Sequence, residues 1–293
     1  MKLKNLVLVA FVLFLIAATA QAQQRPLITE DVDIVPQGSV RIGAGVDFLQ
    51  NAKFRLSGLQ GDLTRVGVIE INAGFAPNIS FELAGTLQNF LAINSATTPS
   101  PIPLSLAPNA NSANDIGDFS LAAKIKLRNE TSKTPALGFK FGFQLPNSNQ
   151  ARGLGTNQNN IFGLLLIGKK FGRQYQDKTR QINLFGNLGV GILPAPLERF
   201  TQNDVLLYGL AGIFRVNNRF NLVSEVNGRA STRSGLAPLG TESQGEFRLG
   251  TQIKASGLRF DAAGTIGLTK YSPRSGVTFG VTYQSPTIFT PAQ

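Results

Sequence analysis

The feature that most constrains this chain is a strict alternation of apolar and polar residues, in long runs that recur almost to its end. A period of two puts apolar side chains on one face of an extended strand, and it lacks the i, i+3, i+4 spacing of a helix face. From Asn78 to Gln88, Ile79, Phe81, Leu83 and Leu87 face one way, and Ser80, Glu82, Thr86 and Gln88 the other. Phe119, Leu121, Ala123, Ile125 and Leu127 alternate with Ser120, Ala122, Lys124 and Lys126, and Leu137, Phe139, Phe141 and Phe143 with Lys140 and Gln144. Near the end, Phe247, Leu249 and Ile253 oppose Glu246, Arg248, Gln252 and Lys254. Twelve such runs are predicted as strands, over 38–50, 63–75, 78–90, 116–128, 136–146, 160–171, 180–193, 204–216, 219–230, 242–254, 257–269 and 276–284. Their length, on the order of 12 residues, suits a tilted membrane strand and exceeds the 5–6 usual in soluble sheets.

The connections support the same class. Every second one is short, centred on Ala76-Pro77, Asn129 to Pro135, Gly172 to Thr179, Asn217-Asn218 and Ala255-Ser256. The others include Leu91 to Asp115, Pro146 to Asn159 and Ser231 to Thr241, rich in Pro, Asn, Ser and Gly. Short turns on one rim and long loops on the other are the outer-membrane pattern, and an even strand count returns both termini to the short-turn, periplasmic rim. The expected fold is therefore all-β, a single antiparallel transmembrane β-barrel of about twelve strands.

Composition removes most alternatives. The 293 residues include no Cys, no His and no Trp, and only 15% are charged. Disulfides, thiol nucleophiles, Ser-His triads and His or Cys metal sites are excluded, so neither an enzyme nor a cofactor or metal is expected. Net charge is +11, falling to +9 without Lys2 and Lys4, but no basic run exceeds the pair Lys169-Lys170. That dispersion argues against a nucleic-acid partner. Lys2 and Lys4, the apolar stretch Leu6 to Ala18 and the small-x-small triplet Ala20-Gln21-Ala22 read as a cleaved signal peptide over residues 1–22. The remaining expected boundaries are an arm at 23–37, periplasmic or folded inward, the barrel at 38–284 and a periplasmic tail at 285–293.

On the polar faces, Glu82, Lys124, Lys140, Glu225, Glu246, Arg248 and Asp261 are the candidate lumen-lining residues, with Glu225, Glu246 and Arg248 able to form a cross-strand ionic ladder. The sixth and eighth strands (Phe162 to Ile167, Leu206 to Phe214) are apolar on both faces, which calls for an inward loop or the N-terminal arm to pack the lumen beside them. Asp115-Ile-Gly-Asp118 could hold a cation, but a strand-entry turn weighs more. Gly153-Leu-Gly155 could gate a pore or form a plain surface loop. The last strand, with Gly276, Phe279, Val281 and Tyr283, has the order of a C-terminal barrel-assembly signal.

Several of these segments resemble the phenol-degradation meta-pathway family of outer-membrane barrel transporters. Arg25-Pro-Leu-Ile-Thr-Glu-Asp31 is similar to its opening motif, Asp115-Ile-Gly-Asp118 to its D-I-G-D strand, Phe143-Gln-Leu-Pro-Asn147 with Gly153-Leu-Gly-Thr156 to its loop motif, and Ser224-Glu225-Val-Asn-Gly228 to its E-x-x-G strand. Asn147 and Ser148 stand where that family tends to have Thr and Gly. The resemblance implies a barrel in the outer membrane that passes small organic molecules, hydrophobic or aromatic ones among them. Its expected partners are outer-membrane lipids, the barrel-assembly machinery and the solutes themselves. The competing expectation is a structural or surface-interaction barrel with a closed lumen.

Overall fold

The computed structural model describes residues 27–172 and 181–289, so the signal-peptide reading of residues 1–22 lies outside the described residues. The strands are β1 (Val40–Phe54), β2 (Leu59–Ala76), β3 (Ile79–Ala96), β4 (Ser112–Asp115), β5 (Ser120–Arg128), β6 (Ala136–Gln144) and β7 (Asn160–Phe171). They continue as β8 (Gln181–Pro194), β9 (Gln202–Arg215), β10 (Phe220–Ser231), β11 (Gln244–Ala255), β12 (Leu258–Gly267) and β13 (Ser275–Gln284). Each barrel strand pairs antiparallel with its neighbour, and β13 closes on β1 from Arg41↔Gln284 to Gln50↔Ser275. Twelve strands make the ring. β4 is a short branch on the far end of β3, from Asn89↔Asp115 to Ala92↔Ser112. Closure leaves no unpaired edge, the condition for a sheet to cross a bilayer.

The two faces are inverted relative to a soluble protein. Leu165, Val190, Leu210, Leu249 and Phe279 are each more than half exposed, whereas Arg41, Asp47, Lys124, Lys140, Glu225, Arg248, Arg259 and Asp261 are buried inside the ring. An apolar exterior around a charged interior is stable only where hydrocarbon, not water, wets the outside. The fold is an outer-membrane β-barrel. On β13, Val277, Phe279, Val281 and Tyr283 share the outward face, while Gly276 lies where a Cβ would stand 2.6 Å from the Phe48 carbonyl of β1, so the closing seam needs glycine there.

Three expected details change. The first hairpin is tight: β1 and β2 run on through the span expected as a loop at 51–62, because a register shift between Leu49 and Ala52 absorbs Asn51, whose amide donates to Asp62 (2.9 Å). β3 likewise continues to Ala96, inside the expected Leu91–Asp115 loop. β5 starts at Ser120 rather than 116, because Asp115 and Asp118 turn their carboxylates to the amides of a loop, as described below. The C-terminal segment after β13 stays attached, with Ser285 N–H donating to the Val40 carbonyl and Ile288 N–H to that of Gly38 (2.8 Å each).

The lipid-facing register makes a measurable prediction. Leu165→Arg, near the middle of β7, should cost about 2–4 kcal/mol in reversible denaturant unfolding from lipid vesicles. An unchanged unfolding free energy would mean that Leu165 does not face lipid.

Candidate functional site: the arm inside the barrel

Of the two placements expected for the N-terminal arm, residues 27–36 take the inward one, so the periplasmic placement is corrected. The arm leaves the rim next to β1 and β2, where Gly38 and Gly74 exchange backbone bonds with their neighbours, and crosses the lumen toward β8–β10. Its far end is fixed by Glu225 of β10, whose carboxylate accepts the amides of Ile28 (2.8 Å) and Thr29 (2.8 Å). Asn187 of β8 holds the next residue from both sides, accepting from Glu30 N–H (2.7 Å) and donating to the Glu30 carbonyl (2.8 Å). One side-chain amide thus does what a strand partner would do, and the crossing backbone stays hydrogen-bonded without joining the sheet.

Apolar contacts alternate with these polar ones. Leu27 packs with Phe185, Ala211, Ile213 and Val223. Val32 packs with Ala136 and Leu166, with Leu164 beside them. These contacts account for the apolar inner faces of β7 and β9. At Gly209 of β9 a Cβ would come within 2.7 Å of the Thr29 hydroxyl, so beside a threonine at position 29 the wall needs glycine there.

Between the apolar contacts lies a buried charge cluster. Lys124 of β5 pairs with Glu30 (3.2 Å) and Asp31 (3.4 Å); Lys140 of β6 pairs with Glu30 and with Glu82 of β3. Toward the rim, Asp33 takes Lys170 (2.6 Å) and Lys126 (3.2 Å). Four acids face four lysines. Burial opposes ionisation of Glu30, but Lys140 and Lys124 outweigh it and lower its carboxyl to about 2. Burial opposes ionisation of Asp33 as well, and Lys170 and Lys126 hold it below its ordinary value. For Asp31 burial prevails over Lys124 and raises the carboxyl.

All seven lumen candidates sit on the inner wall, but not in one group. Lys124, Lys140 and Glu225 hold the arm directly, and Glu82 supports it through Lys140. Arg248 faces Glu225 (3.7 Å) and binds Glu246 (2.9 Å), which gives the ladder expected across β10 and β11. Asp261 stands apart, paired with Arg259 (2.8 Å) and close to Thr282 of β13. At the loop rim, Asp118 accepts from Ser148 N–H and Gln144 Nε2 (2.8 Å each), and Asp115 from Asn149 N–H (2.7 Å). The D-I-G-D segment therefore clamps the 145–159 loop, in keeping with its turn reading. Among the described residues no acidic group converges in a way that could hold a metal. A cavity of about 280 Å³ flanks the arm at the turn rim, beside Asp33, Glu130 and Asn183, and another of about 180 Å³ lies at the loop rim beside Arg229 and Leu193.

Glu30 and Asp31 entered the sequence reading only as the end of the opening motif, and Asp33, Lys126, Lys170 and Asn187 were not among the candidate site residues. The available signals were an acidic stretch before the first strand and an asparagine in the apolar second half of the seventh run.

No family model and no curated protein matches the sequence. Among solved structures the chain is similar to the COG4313 outer membrane channel from Pseudomonas putida F1, with 12% identity over 89% of this chain and 100% of that one and a TM-score of 0.58. It is also similar to the translocator domain of autotransporter NalP from Neisseria meningitidis (15% identity, 84% of this chain and 88% of that one, TM-score 0.47) and to LpxR from Salmonella typhimurium (9%, 84% and 99%, TM-score 0.44). At such identities the likeness is one of fold, and the first of the three supports the outer-membrane barrel.

Two outcomes follow from the charge cluster. Glu30→Ala leaves Lys124 and Lys140 short of a buried partner and should weaken arm docking by about 3–5 kcal/mol, read as faster hydrogen exchange at residues 27–31. Because the Asp33 carboxyl is lowered by docking, its contribution is complete above the ordinary carboxylate value and lost as pH falls through the lowered one. Asp33→Asn should therefore raise arm exchange at pH 7, and the difference from the native protein should vanish in acid. A difference that persists when Asp33 is protonated would contradict the pairing.

Proposed function

We propose that this protein is a channel for small organic molecules, hydrophobic or aromatic ones among them, across the outer membrane, and that its arm controls passage. The observation that carries this reading is what fills the lumen. Small barrels close with their own side chains and large ones stay open. Here, between those limits, the filling is a segment ahead of the first strand, which can withdraw without breaking one ladder hydrogen bond. In this reading the rim bearing both termini faces the periplasm, and the arm enters from that side.

The paired, buried charges favour a second reading, a structural barrel permanently shut. Planar-bilayer conductance combined with solute flux into vesicles separates the two. Removing residues 23–36 should raise both conductance and flux severalfold over the intact chain. If the shortened barrel inserts and stays silent in both measurements, the structural reading stands. The outward Val277, Phe279, Val281 and Tyr283 and the seam residue Gly276 also support our reading of β13 as the strand that engages the assembly machinery. Phe279→Asp with Tyr283→Asp should abolish heat-modifiable migration from outer-membrane fractions, and normal migration would overturn that role.

A further inference from the structure

The cavity at the loop rim has mainly polar walls with a smaller apolar part. Gln144, Leu154, Asn160, Leu193, Pro194 and Arg229 contribute to its lining. Its volume of about 180 Å³ compares with the ~150 Å³ of an apolar cavity that takes up one benzene molecule. Its polar groups are largely committed to one another. Asn160 Nδ2 donates to Gln144 Oε1 (3.1 Å), Gln144 Nε2 donates to Asp118, and the second Asp118 oxygen accepts Ser148 N–H.

Arg229 is the exception. Its Nε donates to the Glu242 carbonyl (2.9 Å) and its Nη2 to the Gly240 carbonyl (3.3 Å), and both partners are backbone. Among the described residues no carboxylate pairs with it. The Glu242 carboxylate is near enough to act on Arg229 through its charge, but its direct contacts are with Gly240 N–H (3.0 Å) and Arg55 (3.6 Å). The two carbonyls occupy the Nε–Nη2 edge of the guanidinium. The Nη1–Nη2 edge remains, and its two parallel N–H groups match the two oxygens of a carboxylate. Two residues along the same inner face of β10, Asn227 Nδ2 is a second buried donor without a partner.

We propose that this cavity binds a small organic carboxylate, with its two oxygens on the free edge of Arg229 and a ring-sized apolar part against Leu154, Leu193 and Pro194. Asp118 lines the same cavity, so an anion is oriented toward Arg229 and away from Asp118. The cavity lies at the ends of β6, β8 and β10 on the loop rim, where a solute arriving from that side enters first. This inference names a substrate class for the channel reading and rests on that reading for its role, though not for the binding itself.

The test compares benzoate with benzyl alcohol, an uncharged analogue of similar size, binding to the refolded full-length barrel in micelles at pH 7. Benzoate should bind about tenfold more tightly, in keeping with charge-assisted hydrogen bonds being roughly twice as strong as neutral ones. Arg229→Gln should erase that preference while leaving benzyl alcohol unchanged, and Arg229→Lys should retain part of it. Leu193→Trp, which fills the apolar end, should weaken both ligands and serves if the Arg229 variants fail to show heat-modifiable folding. Equal binding of the two ligands by the native barrel overturns the proposal, as does a preference that survives Arg229→Gln or benzoate binding that ignores Leu193→Trp. Solute flux in the same preparations keeps the two claims apart. Flux without discrimination removes the carboxylate site and leaves the channel; discrimination without flux does the reverse.

Discussion

The structure depends on one carboxylate, that of Glu30, held between Lys124 and Lys140 inside the barrel. Each lysine comes from a different strand, and each is buried on the inner face of β5 or β6, where an unpaired ammonium would cost several kcal/mol. The sheet alone cannot neutralise them. Glu82 reaches only Lys140, so the arm must bring Glu30 and Asp31 to complete the set. The barrel wall and the arm are therefore interdependent: the wall carries excess positive charge for the arm, and the arm's acidic residues are stable only against that wall.

That dependence explains the division of the interior. The half lined by β5–β10 is covered by the arm and mixes apolar patches with ion pairs. The half lined by β11–β13 and β1–β2 has its own pairs, Arg259 with Asp261 and Arg65 with Asp47, and meets the arm's charge chiefly where Arg41 acts on Asp31. The arm is held by buried ion pairs, by the side chains of Glu225 and Asn187 on its backbone and by the apolar contacts of Leu27 and Val32, all without ladder bonds.

The barrel was legible because each strand carries its own evidence. Phe247, Leu249 and Ile253 alternate with Glu246, Arg248 and Gln252 whatever the neighbours are, and all twelve ring strands were expected near their observed places. The misplaced ends lie where pairing, not pattern, decides: a bulge at Asn51 carries the first ladder across polar residues, and the Asp115–Asp118 clamp delays β5. The lumen candidates were found for the same local reason, being charges at inward positions. What each charge meets is non-local. Lys140 and Glu30 are 110 positions apart, and nothing periodic in residues 27–36 marks them as the contents of a lumen. The doubly apolar β7 and β9 did show that something must cover them, though not what.

The central claim is that solutes pass only when the arm leaves. The chain has no native cysteine, and a Cβ at position 209 would lie 3.2 Å from that of Thr29, so an outward shift of a few tenths of an ångström reaches the ~3.5–4.5 Å that a disulfide spans. Thr29→Cys with Gly209→Cys should therefore tether the arm to β9. The most direct measurement is solute flux through this double variant in vesicles, oxidised and then reduced. The account predicts no flux while the bond is closed and recovery of flux on reduction; equal flux in both states would contradict it.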